Sequence, residues 1–153
     1  MNLTKLNLNN LSLGLLLLFF TSCAVTILAP YDEVTDTKTT ELQETIILEL
    51  NRWNTIYQIK PDSIVLTYSN NLDVYNQSIT KTELLLSRNN GIEKNKIVVK
   101  QLEGLLANLN EMKDIHKEDN ILSDVDIAAF KTILNVQLGA IQKFQQVRKE
   151  TNK

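Results

Sequence analysis

From Ile127 onward, apolar side chains recur every three or four residues: Ile127, Phe130, Leu134, Leu138, Ile141, Phe144. That spacing lays them along one stripe of an α-helix and does not fit the two-residue alternation of a half-buried strand. Three earlier stretches repeat the pattern. Leu42, Ile46, Leu50, Trp53 and Tyr57 form the first stripe. Val65, Tyr68, Leu72, Tyr75, Ile79 and Leu86 form the second, with Thr82 as its weak point. Val98, Leu102, Leu105, Leu109 and Met112 form the third, widened by Ile97, Leu106 and Ile115.

Local signals divide the stripes into four helices. Asp36 is the expected N-cap of a first helix over about 37–60, with Glu41 and Glu44 near its positive end and Pro61 stopping it. The second is expected over about 63–88, closed by Asn89-Asn90-Gly91, residue types that tolerate positive φ. The third is expected over about 93–117. Ser123, with Asp126 three residues on, predicts a capping box opening a fourth over about 124–149, where Arg148 and Lys149 suit the negative end. Each helix would be about 37 Å long at about 1.5 Å per residue. Similar lengths and short links favour antiparallel neighbours, so the expected fold is an all-α, up-down-up-down four-helix bundle. Only four Gly and two Pro are present, too few to supply the turns of a sandwich or barrel.

The first residues follow a different logic. Lys5 precedes an almost wholly apolar run, Leu11 to Phe20, which ends in Thr21-Ser22-Cys23-Ala24. A cation, an apolar segment and small residues, in that order, make a secretory signal. Phe20-Thr21-Ser22-Cys23 resembles the lipobox of bacterial lipoproteins, with Phe20 where Leu is usual. The resemblance implies that Cys23 is lipidated and becomes the first mature residue. It divides the chain into a signal over 1–22, a lipidated tether over 23–35 and a bundle domain over 36–153. It places the domain in the bacterial cell envelope, facing the periplasm. Ala24, which is not Asp, implies the outer membrane in a Gram-negative cell. The competing reading is an uncleaved spanning helix over 11–29, because about 20 apolar residues suffice to span a bilayer. Both readings tie the chain to a membrane.

Chemistry is sparse. Cys23 is the one cysteine, so an internal disulfide is excluded, and a thiol carrying lipid is not free for redox work. The single histidine, His116, cannot supply the paired Glu-x-x-His motifs of a di-iron bundle, and it is expected to be solvated near a helix end. Glu118, Asp119, Asp124 and Asp126 lack the alternating ligands and glycine of a calcium loop and read as caps and a solvated link. No metal, cofactor or nucleotide is expected. A net charge of −2 offers no field for nucleic acid. Trp53, Tyr57, Tyr68 and Tyr75 could line a small-ligand pocket between the first two helices, although aromatics at helical spacing are more often core. The stretch from Tyr31 to Asp36, with Thr39, Leu42 and Gln43, has a motif-like look. It reads as the start of the first helix, with Tyr31 packed back on the bundle. The expectation is a non-enzymatic envelope lipoprotein whose bundle binds or scaffolds an envelope protein; a small-ligand-binding lipoprotein is the alternative.

Overall fold

The computed structural model describes residues 29–151. The signal segment, the lipobox and Cys23 lie outside the described residues. Four helices carry the fold: α1 (Glu33–Ile59), α2 (Tyr68–Asn90), α3 (Lys96–Asp119) and α4 (Asp124–Thr151), with a 3₁₀ turn over Ile64–Leu66 between α1 and α2.

Three boundaries that differ from those expected do so for reasons visible in the contacts. The N-cap of α1 is Asp32, not Asp36. Its backbone is extended, and its carboxylate accepts the Val34 N–H at 3.2 Å and the Thr35 hydroxyl at 2.7 Å. Asp36 instead accepts the Tyr31 hydroxyl at 2.9 Å. The earlier start puts Thr35 and Thr39 on the same buried face as Leu42. The start of α2 is later than expected because side chains capture the preceding carbonyls. Asn71 Nδ2 donates to the Val65 and Thr67 carbonyls at 2.8 Å each, and His116 holds that of Leu66. Those contacts shape a 3₁₀ turn rather than a continuous helix. At the end of α2, Gly91 keeps a right-handed φ of −79°, and the left-handed residue of that link is Lys94, with φ 69°. Asn89 is drawn into the interior instead of serving as an exposed turn residue.

The capping box of α4 forms as expected. The Asp126 N–H donates to Ser123 Oγ at 3.1 Å, and the Ser123 N–H donates to the Asp126 carboxylate at 3.3 Å.

Bonds between helices fix the topology. Asp32 meets Arg88 and Arg52 meets Asn71, so α1 and α2 are antiparallel. Asn89 with Asn95, and Tyr75 with His116, make α2 and α3 antiparallel. Asp32 with Gln145, and Gln43 with Asn135, do the same for α1 and α4. Gly104 lies opposite Gln137, where an added Cβ would sit 3.3 Å from Nε2, and marks the α3–α4 seam. The result is an up-down-up-down four-helix bundle.

The centre of the bundle is aliphatic. Leu42, Ile46, Leu50, Leu102, Leu105, Leu109, Leu134, Leu138 and Ile141 are all buried. Each such side chain contributes about 1.5–3 kcal/mol on leaving water. The central stripes of α1, α3 and α4 are those the spacing predicts, with Tyr57 and Phe144 packed only partly at the margin and Ile97, expected to widen the α3 stripe, 50% exposed. In α2 the buried face is different: Asn71, Tyr75, Ser78, Thr82, Leu85 and Asn89. Val65 and Leu72 stay 41% and 37% exposed, while Thr82, the weak point of the expected stripe, is fully buried. Its hydroxyl donates to the Ser78 carbonyl at 2.8 Å, which removes the penalty of burying it. No described helix is long and apolar enough to cross a membrane.

Candidate functional site

Polar side chains enter the interior at both ends of the aliphatic centre, and the two ends are built differently. At the α1–α2 turn the groups satisfy one another. Trp53 Nε1 donates to Asn71 Oδ1 at 2.9 Å, and Arg52 donates to the same oxygen at 3.1 Å. His116 is 1% exposed, so the expectation of a solvated histidine is corrected. The chain places it near a helix end, but Leu66 and Asn120 close over that end. His116 Nε2 lies 2.7 Å from the Leu66 carbonyl, which can only accept, so Nε2 carries the proton. Nδ1 is then the acceptor, and the Tyr75 hydroxyl donates to it at 2.7 Å. Burial holds the imidazole below its ordinary pKa, against the opposing pull of the Leu66 and Asn120 carbonyls. Burial likewise pushes the Tyr75 phenol above its ordinary value. Both groups are therefore neutral at physiological pH.

This turn gathers three of the four aromatics expected to line a pocket. Trp53 and Tyr75 lie 5.9 Å apart by ring centroid, Tyr68 and Tyr75 6.1 Å, and His116 packs edge-on to all three. Trp53 and Tyr75 are fully buried, and rings fill the space between the helices at this level. Tyr57 sits half-buried at the cluster's edge. The arrangement clamps α1, α2, α3 and the 3₁₀ turn together.

The opposite end carries the start of α1, and its accounts do not close. Asp32 is held by Arg88 through two bonds, at 2.9 and 3.1 Å. Burial pushes the Asp32 carboxyl up, but the bonds from Arg88 and Thr35, with the Arg88 charge, outweigh that and leave it below its ordinary value. Asn89 donates to Thr35 Oγ1 at 3.0 Å and accepts from Asn95 at 2.7 Å. Arg148 is fully buried, and its Nε, Nη1 and Nη2 make no hydrogen bond. Gln145 Nε2 and Thr39 Oγ1 are buried and unpaired as well, and Asn95 Oδ1 is an acceptor left over. The Arg148 guanidinium stacks over Phe144, 4.3 Å from the ring centroid. Burial lowers its pKa, and the Asp32 charge partly offsets this.

None of these polar core residues was singled out by apolar spacing. The signal was nonetheless present. Gln145 and Arg148 continue the α4 stripe four and seven residues beyond Ile141, and Thr39 and Thr35 continue the α1 stripe backwards from Leu42. A polar residue in register with an apolar stripe is a buried polar residue.

Between α1 and α2 at this same end runs a groove of about 350 Å³, lined by Val34, Lys38, Glu41, Lys81, Leu84, Leu85 and Arg88. Leu84 is 66% exposed and Val34 46%. The groove follows from the packing: α1 and α2 meet less closely than α1 with α4 or α2 with α3. Because α2 turns Ser78 and Thr82 inward, Leu84 is left facing out. Lys38 pairs with Glu41 at 2.7 Å and Arg88 with Asp32, while Lys81 enters none of the ion pairs among the described residues. Elsewhere, Glu118 and Asp119 are exposed at the end of α3, Asp124 is exposed at the start of α4, and Asp126 serves as a cap. Among the described residues no group of three or more His, Cys, Asp or Glu side chains is placed to hold a metal ion. No family model, no curated protein and no solved structure matches the chain, so what it can do is argued from its own residues.

Proposed function

We infer that this is a non-enzymatic envelope lipoprotein, anchored through lipid on Cys23, whose bundle docks a partner protein in the α1–α2 groove. The observation that carries the docking is the groove itself: an apolar floor of Val34, Leu84 and Leu85 edged by Lys38, Glu41, Lys81 and Arg88, with Lys38 already paired to Glu41 and Arg88 to Asp32. An isolated exposed leucine is ordinary, but an apolar floor inside a charged rim is the form of an interaction site. Its complement is a partner segment with one or two apolar side chains and a carboxylate set against Lys81. The anchor reading rests on the lipobox-like Phe20-Thr21-Ser22-Cys23. The small-ligand alternative would use Trp53 and Tyr75, and their burial favours the docking reading over it.

The test is purification of the complex from the native envelope after mild crosslinking, with wild-type protein and with Leu84→Glu. Leu84 is largely exposed, so the substitution leaves the core intact. A stoichiometric partner on the wild type that is lost from Leu84→Glu supports the reading. A partner retained in full by the variant, or none on either protein, refutes it.

A further inference from the structure

Native interiors rarely leave a charged fork without an acceptor, because burying an unpaired charge is costly. Arg148 does so with all three nitrogens, and Gln145 and Thr39 add unpaired groups at the same end. Gln145 Oε1 accepts the Asp32 N–H at 3.3 Å, which fixes the amide and leaves its NH₂ unbonded. Thr39 also stands apart from the other buried threonines. Thr35 donates to the Asp32 carboxylate and Thr82 to the Ser78 carbonyl, and the Thr39 hydroxyl has no partner. Gln145 and Arg148, three apart on α4, are neighbours on one face. Thr39 lies on the buried face of α1 with Thr35 and Leu42, one residue before Thr40, whose hydroxyl accepts from Gln142 of α4. The N-termini of α1 and α3, which favour negative charge, lie at this end beside the C-termini of α2 and α4, which oppose it, so the unpaired side chains and not the helix ends choose the ligand. Asn95, the N-cap of α3, makes no capping bond to its own helix.

We propose that this end of the bundle, with Arg148 at its centre and Gln145 and Thr39 beside it, is a binding site for a phosphate-type oxyanion. A guanidinium fork, an amide NH₂ and a hydroxyl together outnumber the acceptors of a carboxylate and match those of a tetrahedral oxyanion. Asp32, the one acid whose charge reaches Arg148, is already neutralised by Arg88. The contact that opens to admit the anion is the long bond from Asp32 N–H to Gln145. Two sources share this chemistry: inorganic phosphate and the phosphodiester of a lipid headgroup. Cys23 lies nine residues before Asp32, within about 30 Å even when fully extended, so an anchor at Cys23 keeps this end near the bilayer. The lipid source rests on the anchor reading and the inorganic source does not.

The test uses the full chain in a zwitterionic detergent, as wild type and as Arg148→Met. Thermal unfolding is followed in potassium phosphate and in potassium chloride at equal ionic strength. Binding to vesicles of phosphatidylglycerol, against phosphatidylcholine, is measured beside it. A phosphate site filled at tenfold its Kd raises the wild-type melting temperature by about 5 °C and leaves Arg148→Met unmoved. Preference for phosphatidylglycerol that depends on Arg148, without a phosphate shift, assigns the lipid headgroup. In chloride, Arg148→Met melts above the wild type, since it removes an unpaired buried charge. A wild type indifferent to both probes overturns the proposal. So does a response that survives in Arg148→Met, or a variant that melts lower or fails to fold, because each shows that Arg148 is not waiting for an anion.

Discussion

Lowering the pH from 7.5 to 5.5 should destabilise the bundle through one side chain. The chain has a single histidine, so no other side chain titrates there at its ordinary pKa. In the fold, His116 Nε2–H donates to the Leu66 carbonyl and Nδ1 accepts from Tyr75. A proton on Nδ1 would set two donors face to face, and turning the Tyr75 hydroxyl away would leave its own proton buried without an acceptor. The folded pKa therefore lies below the unfolded value of about 6.5, as burial also dictates. The sign follows: the unfolded chain binds the proton first, so stability is complete above about pH 6.5 and falls as pH drops toward the folded pKa. The slope cannot exceed about 1.4 kcal/mol per pH unit for one group, which caps the loss between pH 7.5 and 5.5 at about 1.4 kcal/mol. For a domain of this size that is a fall of at most about 5 °C in melting temperature. Thermal unfolding of wild type and His116→Gln across the range measures it. The wild type should lose that increment and His116→Gln should not. Equal losses in both, or a flat wild type, would refute the assignment of tautomer and partner.

Other outcomes follow from the same contacts. Tyr75→Phe leaves Nδ1 of His116 without a donor and should cost about 1–3 kcal/mol by denaturant unfolding. Gly139→Ala should stabilise by about 0.5–1 kcal/mol, since Gly139 is helical and an added Cβ meets nothing within 4 Å. Asp32→Ala removes the α1 cap and the Arg88 partner together and should cost about 1–3 kcal/mol, measured by the same unfolding; the Asp32 contribution also disappears from the wild type as acid titrates through its lowered pKa. Cys23→Ser should abolish acylation and leave an uncut precursor, read by intact mass. Normal processing of that variant would end the lipoprotein reading.

The parts of the fold legible in the sequence are those where the buried face is apolar. In α3 and α4 the stripes from Val98 to Met112 and from Ile127 to Ile141 are buried as their spacing requires. In α2 hydrophobicity misleads. Leu72 and Leu84 face outward while Asn71, Ser78, Thr82 and Asn89 face in, because each inward polar group except the Ser78 hydroxyl finds a bond that apolar spacing cannot reveal. The α1 start was displaced for a related reason. Asp32 and Asp36 are both good caps by residue type, and the choice is made by Arg88, fifty-six residues away. The aromatic residues were legible as a group but not as a clamp, since their partner His116 joins them through a tertiary contact alone. Arg148 was readable as a helix-end cation, and its register with the α4 stripe was the sign, missed by apolar spacing, that it lies inside.

The docking claim is tested most directly by photo-crosslinking from single positions in the intact envelope, with the probe amino acid placed at Leu84 and, separately, at Val125. Both side chains are exposed, at 66% and 71%, but Val125 opens α4 and lies outside the groove. Docking predicts one discrete adduct from Leu84, the same partner that Leu84→Glu loses, and none from Val125. Adducts of the same partner in equal yield from both positions, or none from Leu84, would contradict it.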